Sequence, residues 1–210
     1  MRLFIPLIAV FALSFSTTFA QLGAAGSATP AGPATPGMEA PTRLESLELR
    51  KNTIIVKGYT EVGKVDGDEG SSITVSAIEL KDTSRGSHEM GLAIVAAQGG
   101  DNRRSAVSYV DFDEITGLLN AIDYLAKPDP DATRLAAYEA QYRTRSNLEF
   151  VSFDSNNQRM ISIRAVQVLF PSGEVTWSTA HFRLTMLASI RKQISDAKDV
   201  LDKLREAATK

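Results

Sequence analysis

DFDEITGLLNAIDYLAK, residues Asp111–Lys127, is where this chain changes period. Up to Val110 its apolar residues come in short, β-branched runs. From there Phe112, Ile115, Leu118, Leu119, Ile122 and Leu125 fall on one stripe of a 3.6-residue helix. Asp111 stands at the N-cap position with Glu114 three residues on, close to a capping box, and Lys127-Pro128 stops the helix. Asp113 and Glu114 favour the positive end of the helix dipole. That placement accounts for the carboxylate cluster Asp111, Asp113 and Glu114 without a metal ion.

The change happens twice. A long helix is expected from about Phe182 to Ala208, and sliding the first helix by 72 positions lays Phe112 on Leu184, Ile115 on Leu187, Leu118 on Ile190 and Ile122 on Ile194. Strands precede each helix. In the first half a hairpin is expected from LESLELR (Leu44–Arg50) and TIIVKGYTEV (Thr53–Val62) around Lys51-Asn52. ITVSAIEL (Ile73–Leu80) follows the acidic loop VDGDEGSS, and MGLAIVAA (Met90–Ala97) and RRSAVSYV (Arg103–Val110) flank the turn GGDN. In the second half the strands are RLAAYEAQYRT, LEFVSF, RMISIRAVQVLF and EVTWST, with turns at DSNNQ and PSGE. The expected fold class is α+β: antiparallel sheets with two helices, from internal duplication of a four-strands-then-helix unit, over about 42–130 and 131–210. The last helix keeps Leu187, Ile190, Ile194, Ala197, Leu201 and Leu204 in a short heptad pattern. Its expected use is packing on its own sheet or on the first helix, with a homodimer through this C-terminal helix second.

A shorter echo runs at 60 positions. AIELKDTSRGSHEM (Ala77–Met90) and AYEAQYRTRSNLEF (Ala137–Phe150) share Ala77/Ala137, Glu79/Glu139, Arg85/Arg145 and Glu89/Glu149. As strands, they would set Glu79, Lys81, Thr83 and Arg85 on one face, and Glu139, Gln141, Arg143 and Arg145 on another. The plainer reading is a solvated sheet face with cross-strand ion pairs of about 0.2–1 kcal/mol each. The functional reading is a polar, aromatic-edged groove. Its ligand-binding candidates are Glu79, Arg85, Glu139, Tyr142, Arg145 and Glu149, with Tyr142 standing where the other copy has Asp82.

The first twenty residues read as an address. Arg2 precedes the apolar run LFIPLIAVFALSF (Leu3–Phe15), and the segment ends Thr18-Phe19-Ala20, the order of a secretory signal peptide cleaved after Ala20. Residues 21–41, QLGAAGSATPAGPATPGMEAP, carry one charge and no apolar period, and read as a flexible Ala/Gly/Pro-rich linker. Residues 42–210 are long enough for one buried core. Without Arg2 the basic count falls from 23 to 22 against 25 acids, a net charge of −3 and not the basic footprint of a nucleic-acid binder. The chain has no cysteine, so thiolate metal sites and cysteine nucleophiles are impossible. His88 and His181 have no zinc-binding spacing, and no G-x-S-x-G, G-x-G-x-x-G or Walker sequence occurs. No catalytic residue, metal ligand or cofactor is assigned.

SYVDFDEITGLLNAIDYLAK (Ser108–Lys127) and AYEAQYRTRSNLE (Ala137–Glu149) resemble segments of a group of uncharacterised exported bacterial proteins, with a Y-x-D-x-D-E helix start and an E-x-x-Y-x-T-R-x-x-L-E strand. The resemblance implies export and carries no functional residue. The doubled order of four strands and a helix is similar, in topology alone, to the whirly-like fold of single-stranded DNA-binding proteins. The expectation is an exported, periplasmic or secreted protein: a non-enzymatic binding or structural protein of the bacterial envelope, partnered by an envelope protein or ligand. The alternatives are a carboxylate-based envelope hydrolase and, more weakly, a single-stranded nucleic-acid binder.

Overall fold

The computed structural model describes residues 41–208 apart from 102, 128, 130, 136, 137, 156, 157, 170 and 171, all within the compact unit Met38–Lys210. The expected leader, and the linker up to residue 40, lie outside the described residues.

Among the described residues the chain forms a short helix, α1 (Arg43–Glu48), and two four-stranded antiparallel sheets, each in chain order. The first holds β1 (Ile55–Asp66), β2 (Ser72–Asp82), β3 (His88–Gln98) and β4 (Arg104–Asp111). The second holds β5 (Ala140–Arg143), β6 (Glu149–Ser155), β7 (Gln158–Leu169) and β8 (Glu174–Arg183). Each sheet passes through one 3-10 turn, Phe112–Glu114 or Leu184–Met186, into a helix, α2 (Ile115–Ala126) or α3 (Leu187–Ala208). The fold is α+β and duplicated. From Asp111 to Arg183, the ends of β4 and β8, is 72 positions, as it is from Ile115 to Leu187 at the helix starts.

The 60-residue echo is not this repeat. Gly91 lies opposite Asp111, and Met160 opposite Arg183, so β3 and β7 correspond at 69 positions. Ile78 lies opposite Gly91 and Phe153 opposite Met160, which puts β2 and β6 at 75. A shift of 60 lays the β2–β3 hairpin on β5–β6, second and third strands on first and second. What the two stretches share is a side chain closing a turn with one left-handed residue, Gly86 or Asn147. Asp82 accepts from the N–H groups of Ser84 and Arg85, and the Thr144 hydroxyl accepts from that of Leu148.

The helices are exchanged between the repeats. α3 lies across β1, β2 and β3 of the first sheet and against α2, whereas α2 packs on β5 and β6 of the second. β4, together with β3, faces β7 and β8 directly. One core therefore runs through both halves, from Val75, Leu92 and Ile94 through Ile115, Leu118 and Ile122 to Phe150, Ile161, Phe182, Ile190 and Ile194.

The sheets approach closely because the facing residues are small: Ala96, Ala106 and Ser108 on one side, Ala165, Ser178 and Ala180 on the other. Buried serines stitch them together. The Ser108 hydroxyl donates to the Val166 carbonyl and accepts from the Val166 N–H, each at 3.0 Å, where β7 overruns the end of its pairing with β6. Ser178 accepts from Gln98 N–H and donates to the Arg104 carbonyl, and Ser71 makes the same double contact with His181.

Three expectations are corrected. Arg43–Glu48 is a helix and not half of a hairpin: Thr42 and Glu45 form a capping box, and Leu44 and Leu47, one helical turn apart, bury against Ile78, Leu80 and Tyr109 on the outer face of the first sheet. Asp111 does not cap its own 3-10 turn. Its carboxylate accepts from the N–H groups of Arg43 (2.9 Å) and Leu44 (3.1 Å), so it caps α1 across the sheet. The heptad stripe of α3 is buried inside the chain from Leu187 to Leu201, against α2 as one of the two expected uses had it, but on the other repeat's sheet and not its own; Leu204 alone of that stripe is exposed. No helix among the described residues is long and apolar enough to cross a membrane.

Candidate binding cleft

The six candidate residues fall in separate places. Glu79 lies on β2 with its carboxylate 2.6 Å from His88 Nε2. Arg85 is exposed in the β2–β3 turn, where its N–H donates to Asp82. Glu149 is buried at the start of β6 between Arg143 and Arg164, its direct cross-strand neighbours. Burial pushes its carboxyl up, but the two guanidinium groups outweigh that and hold it below its ordinary value. Arg145 follows the end of β5, its N–H donating to Glu114 and its guanidinium to Asp113 and Glu114. Burial pushes Asp113 up; the hydrogen bond and charge of Arg145, with Arg43 behind it, bring it below the usual carboxylate range. The cluster Asp111, Asp113 and Glu114 is thus engaged with Arg43, Arg145 and the start of α1.

Glu139 and Tyr142 do meet, in a cleft of about 420 Å³ between α2 and β5. Strand alternation sends Gln141 and Arg143 outward and turns Ala140 and Tyr142 toward α2. Ala121 and Ala140 are small, and the gap they leave is walled by Tyr124, Tyr138 and Tyr142. The Arg159 guanidinium stands 5.5 Å from the centre of the Tyr138 ring. Burial raises the Tyr142 phenol, with Glu114 adding to the shift and Arg145 opposing it, so its hydroxyl stays protonated and able to donate at neutral pH. Glu139 and Gln141, on the outward face of the strand, border the opening.

No protein-family model matches this chain, and no curated protein does either. The size of the cleft lies in the ~300–1,000 Å³ range of small-ligand sites. Three phenol rings offer flat apolar faces, and the rim groups accept hydrogen bonds from hydroxyl, amide or amine donors. Among the described residues no group of three or more His, Asp or Glu is placed to hold a metal ion.

Sequence reasoning missed Tyr124 and Trp177. Tyr124 sits beside the apolar stripe of α2, between Ile122 and Leu125, and is half exposed; a large aromatic just off a buried stripe was the available signal. Trp177 is the chain's single tryptophan, on the outer face of the second sheet with Arg104 stacked 5.7 Å from its ring. It borders a smaller groove of about 210 Å³ with Val166, Val175, Arg143, Glu149 and Arg164.

Proposed function

We propose that this is a non-enzymatic binding protein exported to the bacterial envelope, holding its ligand in the tyrosine-walled cleft. The observation that carries the reading is the convergence of Tyr124, Tyr138 and Tyr142 with Glu139 and Gln141 around one opening. The ligand chemistry this favours is a sugar unit, its ring face on the phenols and its hydroxyls on the rim carboxylate and amide. The leader-like first twenty residues and the Ala/Gly/Pro-rich stretch after them support a tethered, exported domain.

Calorimetric titration with envelope-derived saccharides tests this. Tyr124→Ala should weaken binding roughly fivefold or more while leaving the melting temperature nearly unchanged, since stacking contacts of this kind contribute about 1 kcal/mol or more and the ring is half exposed. No binding by the parent chain, or equal binding by Tyr124→Ala and Glu139→Gln, would refute the reading.

A further inference from the structure

The outer faces of the two sheets are finished differently. On the first, Leu44 and Leu47 of α1 bury Ile78, Leu80 and Tyr109. On the second, strand pairing sets Trp177 beside Val166, and in the row before them it sets Glu149 between Arg143 and Arg164. Trp177 and Val175 stay 47% and 55% exposed there. Four arginines flank that ring in two pairs. Arg143 and Arg164 share one carboxylate, Glu149, and line the groove of about 210 Å³ that Trp177 borders. Arg104 stacks on Trp177, 5.7 Å from the ring centre, and with Arg103 lines a second groove of about 480 Å³ beside the Gly99-Gly100 turn. Neither Arg103 nor Arg104 is paired with a carboxylate among the described residues. The two grooves together hold four cations against Glu149 and Glu69, a local excess of two positive charges on a chain of formal net charge −2.

We infer that this face binds an acidic polysaccharide, with its carboxylates on the arginines and one sugar ring on Trp177. The planar guanidinium fork matches a carboxylate at two points, and all four cations here are arginine. The smaller groove falls short of the ~300 Å³ at which small-ligand sites begin, so it fits one unit of a chain and not a whole molecule. Two grooves in succession, joined by the Arg104–Trp177 stack, suit a polymer that repeats its charge. Single-stranded nucleic acid repeats its charge as well, but it is held by stacking successive bases on successive aromatic rings. On this face Trp177 is the one exposed aromatic among the described residues, which favours the sugar polymer.

The inference is independent of the tyrosine cleft, and its test reads this face alone, because Trp177 is the chain's single tryptophan. Titrating the chain from Gln21 with polygalacturonate, a linear uronic acid polymer, should shift the tryptophan emission, and neutral dextran should not. The affinity should fall as sodium chloride rises, since exposed charges are screened. Arg104→Ala should weaken binding roughly fivefold or more, as the loss of a charged hydrogen-bond donor does, with circular dichroism unchanged because its guanidinium holds no ion pair. Arg103→Ala should act in the same direction, and Tyr124→Ala should leave the titration as it is. An emission that polygalacturonate does not move overturns the inference. So does an equal response to dextran, a response that Tyr124→Ala removes, or an Arg104→Ala chain that binds as the parent does. Tighter binding of a single-stranded oligonucleotide than of polygalacturonate overturns it in favour of nucleic acid.

Discussion

Ser108→Ala tests the joint between the two sheets. The Ser108 hydroxyl answers both the N–H and the C=O of Val166, at 3.0 Å each, on a stretch of β7 that β6 does not reach. Alanine keeps nearly the same volume, so packing is little changed and the effect isolates the two hydrogen bonds. Each backbone group left unpaired costs about 1–3 kcal/mol when buried. Val166 is only partly buried and water can reach part of it, so the expected loss is about 2–4 kcal/mol rather than the full range. With a urea slope of about 1–3 kcal/mol/M, the unfolding midpoint should fall by about 1–2 M with the slope unchanged. Equilibrium unfolding followed by circular dichroism measures this, with the exposed Ser105→Ala as the silent control. A fall below about 0.5 kcal/mol, within the range of ordinary surface substitutions, would refute the role given to this hydroxyl.

Four other outcomes are expected. Asp82 titrates at about 2 in the folded chain, because the Thr53 hydroxyl, the N–H groups of Ser84 and Arg85 and the Arg50 guanidinium favour its charged form over the opposing effect of burial. Its contribution is full above the ordinary carboxylate value of ~3.9 and is lost as pH falls toward 2, so Asp82→Asn should flatten the melting temperature's dependence on pH across that window. Gly91→Ala should destabilise by about 1–3 kcal/mol in urea titration, since its Cβ would stand 2.1 Å from the Val110 carbonyl oxygen and 2.8 Å from Leu44. Gln193→Met should raise the unfolding midpoint, because Gln193 Oε1 is buried with no hydrogen-bond partner and a thioether removes that cost of about 1–3 kcal/mol. Arg145→Ala should cost about 1 kcal/mol after allowance for its solvent exposure, and Arg85→Ala less than about 0.5, a contrast that thermal unfolding resolves.

The duplicated architecture was legible because both helix stripes bury the residues that their spacing selects, Ile115, Leu118 and Ile122 in one and Leu187, Ile190 and Ile194 in the other. Local patterns do not reveal which sheet each helix covers, since an apolar stripe fits either. α1 is misread from sequence although Thr42 and Glu45 spell a capping box, because Leu47 and Leu49 also alternate as a strand would. The 60-residue echo misleads because turn closure by a short polar side chain recurs at hairpins whatever their place in a sheet. Glu139 and Tyr142 stand out in the sequence through the 60-residue echo, although strand alternation sets them on opposite faces. Tyr124 comes from a different element, and only the packing of α2 on β5 brings it to the cleft.

The exchange of helices has an evolutionary and a kinetic consequence. A single repeat standing alone would have an open sheet and a helix with nothing to cover, whereas two separate copies could close by trading helices. The present chain has the form of such an intertwined pair joined through residues 127–139. Neither half holds the complete cover of its own sheet, so each is the other's folding partner. The intact chain must bring α3 back across more than a hundred residues to β1 before its core closes, which sets folding speed by topology and not by helix strength.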